Sequence, residues 1–165
     1  MPERTLALLR HAKSDWSGHE ADVDRPLAAR GRRQAPEAGR WLAATLHPVD
    51  LAVVSPAARA RSTWDLASAE LDPRPRMLVD DRVYAASADQ LLEVVRDLPE
   101  GTASVVMVGH NPGLEDLVEL LTGEWVRMPT SGLAVVGITG AWSGAGSSRG
   151  VLRASGRPPS TPAGS

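Results

Sequence analysis

The sequence has no cysteine. That absence excludes a disulfide framework, a thiolate metal site and a cysteine nucleophile. It also suits a reducing cytoplasm, the compartment expected for this chain. Lysine is nearly missing: of 18 basic residues only Lys13 is a lysine, which, with the abundance of alanine, reads as a habit of the source genome. There is no basic excess, since 20 acidic side chains leave a formal net charge of -2. Nucleic-acid binding is therefore not expected as the main role. Long apolar runs are missing too, and none approaches the ~20 residues a membrane helix needs. Met1 to Arg10 holds charges at Glu3 and Arg4 and only the short apolar run Leu6–Leu9, so no signal peptide and no membrane association are expected.

What is present suits one globular domain. The chain has 165 residues, 42% hydrophobic and 23% charged. Residues 1–155 are expected to form the domain. Residues 156–165, rich in Pro, Ser and Gly, cannot bury a core and are expected to be a disordered tail. No internal repeat is found.

Continuous apolar runs at Thr5–Leu9, Leu51–Val54, Ser104–Val108 and Leu133–Ile138 suit strands buried on both faces. Shorter strands are expected at Met77–Val79 and, at an edge, Gly150–Ala154. Between them, residues 29–46, 57–71, 88–98 and 114–121 have helical spacing. Ser87 is placed to cap the third helix. Pro36 should bend the first helix or lie near its start. Ser143 to Ser148 reads as a flexible loop. This alternation predicts an α/β fold, with a mostly parallel central sheet covered by helices on both faces.

In open α/β sheets, ligands bind beyond the carboxyl ends of the strands. The first strand is followed by Arg10-His11-Ala12-Lys13. The second is followed by Ser55-Pro56-Ala57-Ala58-Arg59, and the long third run by Gly109-His110-Asn111-Pro112-Gly113. The other two of the 4 histidines, His19 and His47, lie in loop-like surroundings. Taken alone, each of these residues has a bland explanation. A histidine after a strand is usually a loop residue, Arg59 would usually be a solvated helix residue, and Asn111-Pro112 reads as a helix start with Asn111 as N-cap. Three strand ends that deliver two histidines and two arginines to one edge are not explained that way. Arginine suits bidentate phosphate binding, and a helix start adds N–H donors. Histidine can be a nucleophile toward phosphorus. A metal site fits poorly, because the arginines repel a cation and no carboxylate sits in these motifs.

Leu-Leu-Arg10-His11-Ala12, Ser55-Pro56-x-x-Arg59-Ala-x-x-Thr63 and Gly109-His110-Asn111-Pro112 resemble the histidine phosphatase superfamily, which has the phosphoglycerate mutase-like fold. Arg-His-Ala-Lys-Ser-x-Trp, Asp24-Arg25-Pro26-Leu27 and Val83-Tyr84-x-Ala-Ser87 resemble its small SixA-type phosphohistidine phosphatase branch. The resemblance runs in order from Thr5 to Ala154. It departs at Ala12, where the superfamily signature has glycine, although SixA-like members often carry alanine there. The resemblance implies that His11 is the nucleophile and forms a phosphohistidine intermediate. Arg10 and Arg59 would bind the phosphate, and His110 would donate to the same oxygens, with Asn111 at the adjoining helix start. No cofactor or metal is implied. The implied substrate is a phosphorylated protein or a small phosphate ester, and phosphate or sulfate should bind at the site.

The general acid stays open. Aligning on Arg82 and Tyr84 selects Asp81, counting from Leu78 selects Asp80, and Asp15 is a third candidate. Two alternatives to a phosphatase also stay open: a mutase-like phosphotransferase, and a non-catalytic module that binds phosphoproteins.

Overall fold

A computed structural model of the protein describes residues 3–46 and 48–159. His47 and residues 160–165 lie outside the described residues, as does that part of the expected tail. Six strands form one sheet in the order β3-β2-β4-β1-β5-β6. They are β1 (Glu3–Arg10), β2 (Leu51–Val54), β3 (Arg76–Val79), β4 (Ser104–Gly109), β5 (Leu133–Thr139) and β6 (Val151–Gly156). The first four strands run parallel; β5 pairs antiparallel with β1, and β6 antiparallel with β5. The helices are α1 (Ala29–Thr45), α2 (Ala58–Ser68), α3 (Ala88–Arg96) and α4 (Gly113–Thr122).

The period of two along each strand divides the core into two faces. Leu6 and Leu8 of β1, with Val105 and Met107 of β4, pack against Leu91 and Val95 of α3 and Leu114 and Leu117 of α4. Ala7, Leu9, Val106 and Val108 pack the other way, against Leu42 of α1 and Trp64 of α2. This is the expected three-layer α/β arrangement, and double burial explains the continuous apolar runs. No helix among the described residues is long and apolar enough to cross a membrane.

Small residues set how closely the helices approach. A Cβ built on Gly39 of α1 would lie 2.1 Å from the Ala67 carbonyl oxygen of α2. One on Gly31 would lie 2.2 Å from the Lys13 carbonyl oxygen, so α1 braces the segment that leaves β1. Ser87 caps α3 as expected: its Oγ accepts from Gln90 N, and Gln90 Oε1 accepts from Ser87 N. Pro36 lies inside α1, which continues through it to Thr45.

Two expectations at the C-terminal end are corrected. β6 continues through Gly156, Pro159 bridges back to Gly156, and the Trp41 indole donates to the Pro159 carbonyl at 2.9 Å. A composition poor in apolar side chains is held here by backbone pairing. The loop expected at Ser143–Ser148 is pinned in its first half. Buried Trp142 donates to the Thr102 carbonyl at 2.8 Å, and Arg96 Nε donates to the Ala145 carbonyl at 2.9 Å.

Candidate active site

Because β1, β2 and β4 are parallel, their carboxyl ends open on one edge. His11, Ser55 and His110 each follow one of these strands. The His11 N–H continues the ladder by donating to the Gly109 carbonyl at 3.1 Å. The His11 ring is buried, and its centroid lies 5.2 Å from that of His110, with the planes tilted by 50°. His11 Nδ1 lies 2.8 Å from the Ala12 carbonyl oxygen. A carbonyl only accepts, so Nδ1 carries the proton and Nε2 keeps its lone pair. Burial, reinforced by the charges of His110, Arg59 and Arg10, pushes the His11 pKa down to about 3. The ring is therefore neutral at physiological pH.

The step after β1 is tied to the helix that carries Arg59. Ala12 N donates to Thr63 Oγ1 at 2.9 Å, and Thr63 Oγ1 donates to the Arg59 carbonyl at 2.6 Å. The Ala12 side chain fills a small buried cluster with Leu27 and Ala35, so alanine is well accommodated where the superfamily signature has glycine. Arg59 is buried. Its Nη1 donates to the Asp22 carbonyl at 2.7 Å and its Nη2 to Asp22 Oδ2 at 3.1 Å. The Tyr84 hydroxyl donates to that same oxygen. These bonds, led by that of Tyr84, hold the Asp22 carboxyl below its usual range. Arg10 is half-buried, and its Nη1 donates to the Met128 carbonyl at 3.1 Å.

His110 Nε2 lies 2.8 Å from Ser55 Oγ, which also accepts from Ala57 N at 3.2 Å. A serine hydroxyl has one proton. Donating it to Nε2 satisfies both groups and puts the imidazole proton on Nδ1, which is buried and has no partner among the described residues. Tyr84 stands edge-on to the His110 ring, with centroids 5.6 Å apart. Burial, then repulsion from Arg59, pushes the His110 pKa down to about 4.

The structure thus gathers His11, Arg10, Arg59 and His110 at one edge. It corrects the reading of Asn111 as a helix cap. Pro112 holds the cap position of α4, and Asn111 Nδ2 donates to the Met128 carbonyl at 2.8 Å, which leaves one amide proton for other use. The three acid candidates separate. Asp80 caps the turn at Asp81–Val83 and takes bonds from the Arg82 side chain and N–H, which lower its pKa. Asp15 accepts from the Ser17 hydroxyl and N–H, which lower its pKa too. Such carboxylates hold protons poorly. Asp81 is exposed and shares a depression with Tyr84. Sequence reasoning gave no role to Asp22, Ser55 or Tyr84, although Ser55 and Tyr84 sit inside the motifs that carry the resemblance. Asp22 has no motif of its own.

The chain is similar to known proteins over most of its length. Residues 6–83 match the model of the histidine phosphatase superfamily (branch 1). An uncharacterised protein of Mycobacterium tuberculosis is 36% identical over 146 residues, 82% of this chain and 90% of the relative. A Nakamurella multipartitia protein assigned as phosphohistidine phosphatase SixA superposes with a TM-score of 0.85 at 29% identity, covering 94% of this chain and 96% of that one. The protein histidine phosphatase SixA complexed with tungstate superposes with a TM-score of 0.79 at 25% identity, covering 92% and 95%.

Proposed function

Because the chain belongs to the histidine phosphatase superfamily, we propose that it hydrolyses a phosphohistidine or another phosphomonoester through a covalent phosphohistidine on His11. The observation that carries this reading is the tautomer of His11. Its Nδ1–H faces an acceptor, so Nε2 is a neutral nucleophile in the field of Arg59 and Arg10.

In the first step, Nε2 attacks phosphorus. A P–N bond forms while the bond to the leaving group breaks, and its electron pair departs with that group. Arg10, Arg59 and the Nδ1–H of His110 stabilise the charge on the equatorial oxygens, with Asn111 beside them. A bound phosphoryl dianion would raise the His110 pKa and strengthen its donation. In the second step, water attacks the phosphorus. The P–N bond breaks, its pair returns to Nε2, and the proton leaves with phosphate or solvent.

Asp81 is the proposed acid for leaving groups that need a proton. An imidazole leaving group needs less help than an alkoxide, which suits a phosphohistidine substrate. Tungstate, bound by the similar SixA structure, is a phosphate-like anion and is consistent with this anion site. The guanidinium and imidazole groups supply the positive charge that Mg²⁺ supplies elsewhere, so no metal is required in this scheme.

The test is p-nitrophenyl phosphate hydrolysis in EDTA. Turnover that is lost in His11→Ala supports the proposal. Turnover that appears only with an added divalent ion, or in no condition at all, overturns it.

A further inference from the structure

The rim of the site beside Arg10 carries positive charge that the proposed chemistry does not use. The loop between α4 and β5 forms this wall: Ser131 N donates to the Arg10 and His11 carbonyls at 3.1 and 3.0 Å, and Arg10 N donates to the Gly132 carbonyl at 3.0 Å. Arg127 is exposed on this loop, next to the Met128 carbonyl that Arg10 holds. Arg157, one residue past β6, reaches back to the same loop. Its Nε donates to the Thr130 carbonyl at 2.6 Å and its Nη2 to Thr130 Oγ1 at 3.1 Å, which leaves Nη1 without a partner among the described residues. Arg30, at the start of α1, is exposed and near enough to repel Arg157.

Seven arginines elsewhere pair with carboxylates: Arg4, Arg25, Arg40, Arg59, Arg82, Arg96 and Arg153. Among the described residues the other ten arginines make no such pair, and four of these, Arg10, Arg30, Arg127 and Arg157, repel one another at this rim. The acidic group that acts on Arg10 is Glu115, whose Oε2 accepts from Met128 N at 2.7 Å. Burial first, then repulsion from Arg157 and Arg127, holds Arg10 below its ordinary pKa, with Glu115 pulling the other way. Like charges gathered at one rim destabilise the empty fold and attract an anion. A purely structural role, stapling β6 to the loop, explains the two Thr130 bonds of Arg157. It leaves Arg127 and Arg30 unexplained.

We infer that Arg127, Arg157 and Arg30 form a second anion subsite beside the phosphate subsite, for an acidic group carried on the same substrate molecule. This inference rests on the phosphatase reading and narrows its substrates. The second group is a carboxylate or phosphate, borne by an acidic stretch of a phosphoprotein or by a small dianionic ester.

Two matched pairs of substrates test it. One is a phosphohistidine peptide flanked by glutamates against the same peptide flanked by glutamines. The other is O-phosphoserine against its carboxamide. The wild-type protein should prefer the acidic member of at least one pair by about tenfold in kcat/KM, mostly through KM, and the preference should fade as salt is raised. The Arg127→Gln/Arg157→Gln double variant should reduce the preference to within about twofold. Arg127→Gln alone, which leaves the Thr130 bonds in place, should reduce it part of the way. Preference confined to the peptides assigns the subsite to a protein substrate; preference confined to the esters assigns it to a small molecule. Equal rates within both pairs, or a preference that survives in the double variant, overturn the inference while the phosphatase reading stands. Failure to hydrolyse all four substrates sinks both.

Discussion

The two arginines that flank His11 have opposite electrostatic settings. Arg59 is buried and neutralised: the Asp22 carboxylate takes its Nη2, and Tyr84 locks that carboxylate from the other side. Among the described residues the Arg10 side chain bonds a single backbone carbonyl, and it feels the charges of Arg127 and Arg157. One side of the site is a preorganised clamp, and the other is an open positive rim that Glu115 offsets only in part. A fixed donor aids catalysis because it needs no reorganisation as charge develops, whereas a field from several mobile charges mainly aids binding. Under the proposed mechanism, this asymmetry gives orientation to the Arg59 side and capture to the Arg10 side.

Removing the clamp should have the largest effect. Arg59→Ala is expected to cost about 2–4 kcal/mol of transition-state stabilisation, read as kcat/KM on p-nitrophenyl phosphate. A loss below about tenfold, roughly 1.4 kcal/mol, would remove Arg59 from the site. Asp22→Asn should erase the asymmetry while keeping the shape. With Arg59 loosened and a nearby negative charge gone, kcat should fall about tenfold while inhibition by inorganic phosphate strengthens about threefold. Unchanged kcat would show that Asp22 does not position Arg59.

Asp81→Asn should matter less, and selectively. Esters with poor leaving groups should slow by about tenfold or more, the lower range for a general acid, and p-nitrophenyl phosphate by less. Equal losses across leaving groups would remove Asp81 from the acid role. A separate effect, read against pH rather than in rates, concerns stability. His11 and His110 titrate near 3 and 4 in the folded protein, against 6.5 for an ordinary imidazole. Between those values the unfolded chain binds more protons, so stability is full above about pH 6.5 and declines as the pH falls toward 4. Chemical denaturation at pH 7 and pH 5 should show this decline, and His11→Gln should shrink it; an unchanged slope in the variant would contradict the burial account.

Much of this was legible in the sequence for a physical reason. Strands buried on both faces must be continuously apolar, so Leu51–Val54 stands out. Parallel strands send their carboxyl ends to one edge, so the order of strands and motifs along the chain is enough to group Arg10-His11, Arg59 and His110. Asp22 could not be found that way. It acts through contacts with Arg59, far along the chain in α2, and with Tyr84, in the loop after β3, and neither spacing nor composition encodes those contacts. Arg157 was hidden for a related reason: a segment without apolar residues carries no hydrophobic signal, yet backbone pairing and the bonds to Thr130 hold it in place. Asn111 misled because Asn-Pro fits a helix start equally well, whereas its amide reaches the Met128 carbonyl.

The central claim is that neutral Nε2 of His11 takes the phosphoryl group. Rapid acid-free quenching during turnover of ³²P-labelled substrate tests it most directly. The account predicts a base-stable, acid-labile phosphoenzyme that maps to His11 and is missing from His11→Ala. Label that persists in His11→Ala, or that maps to another residue, would contradict it.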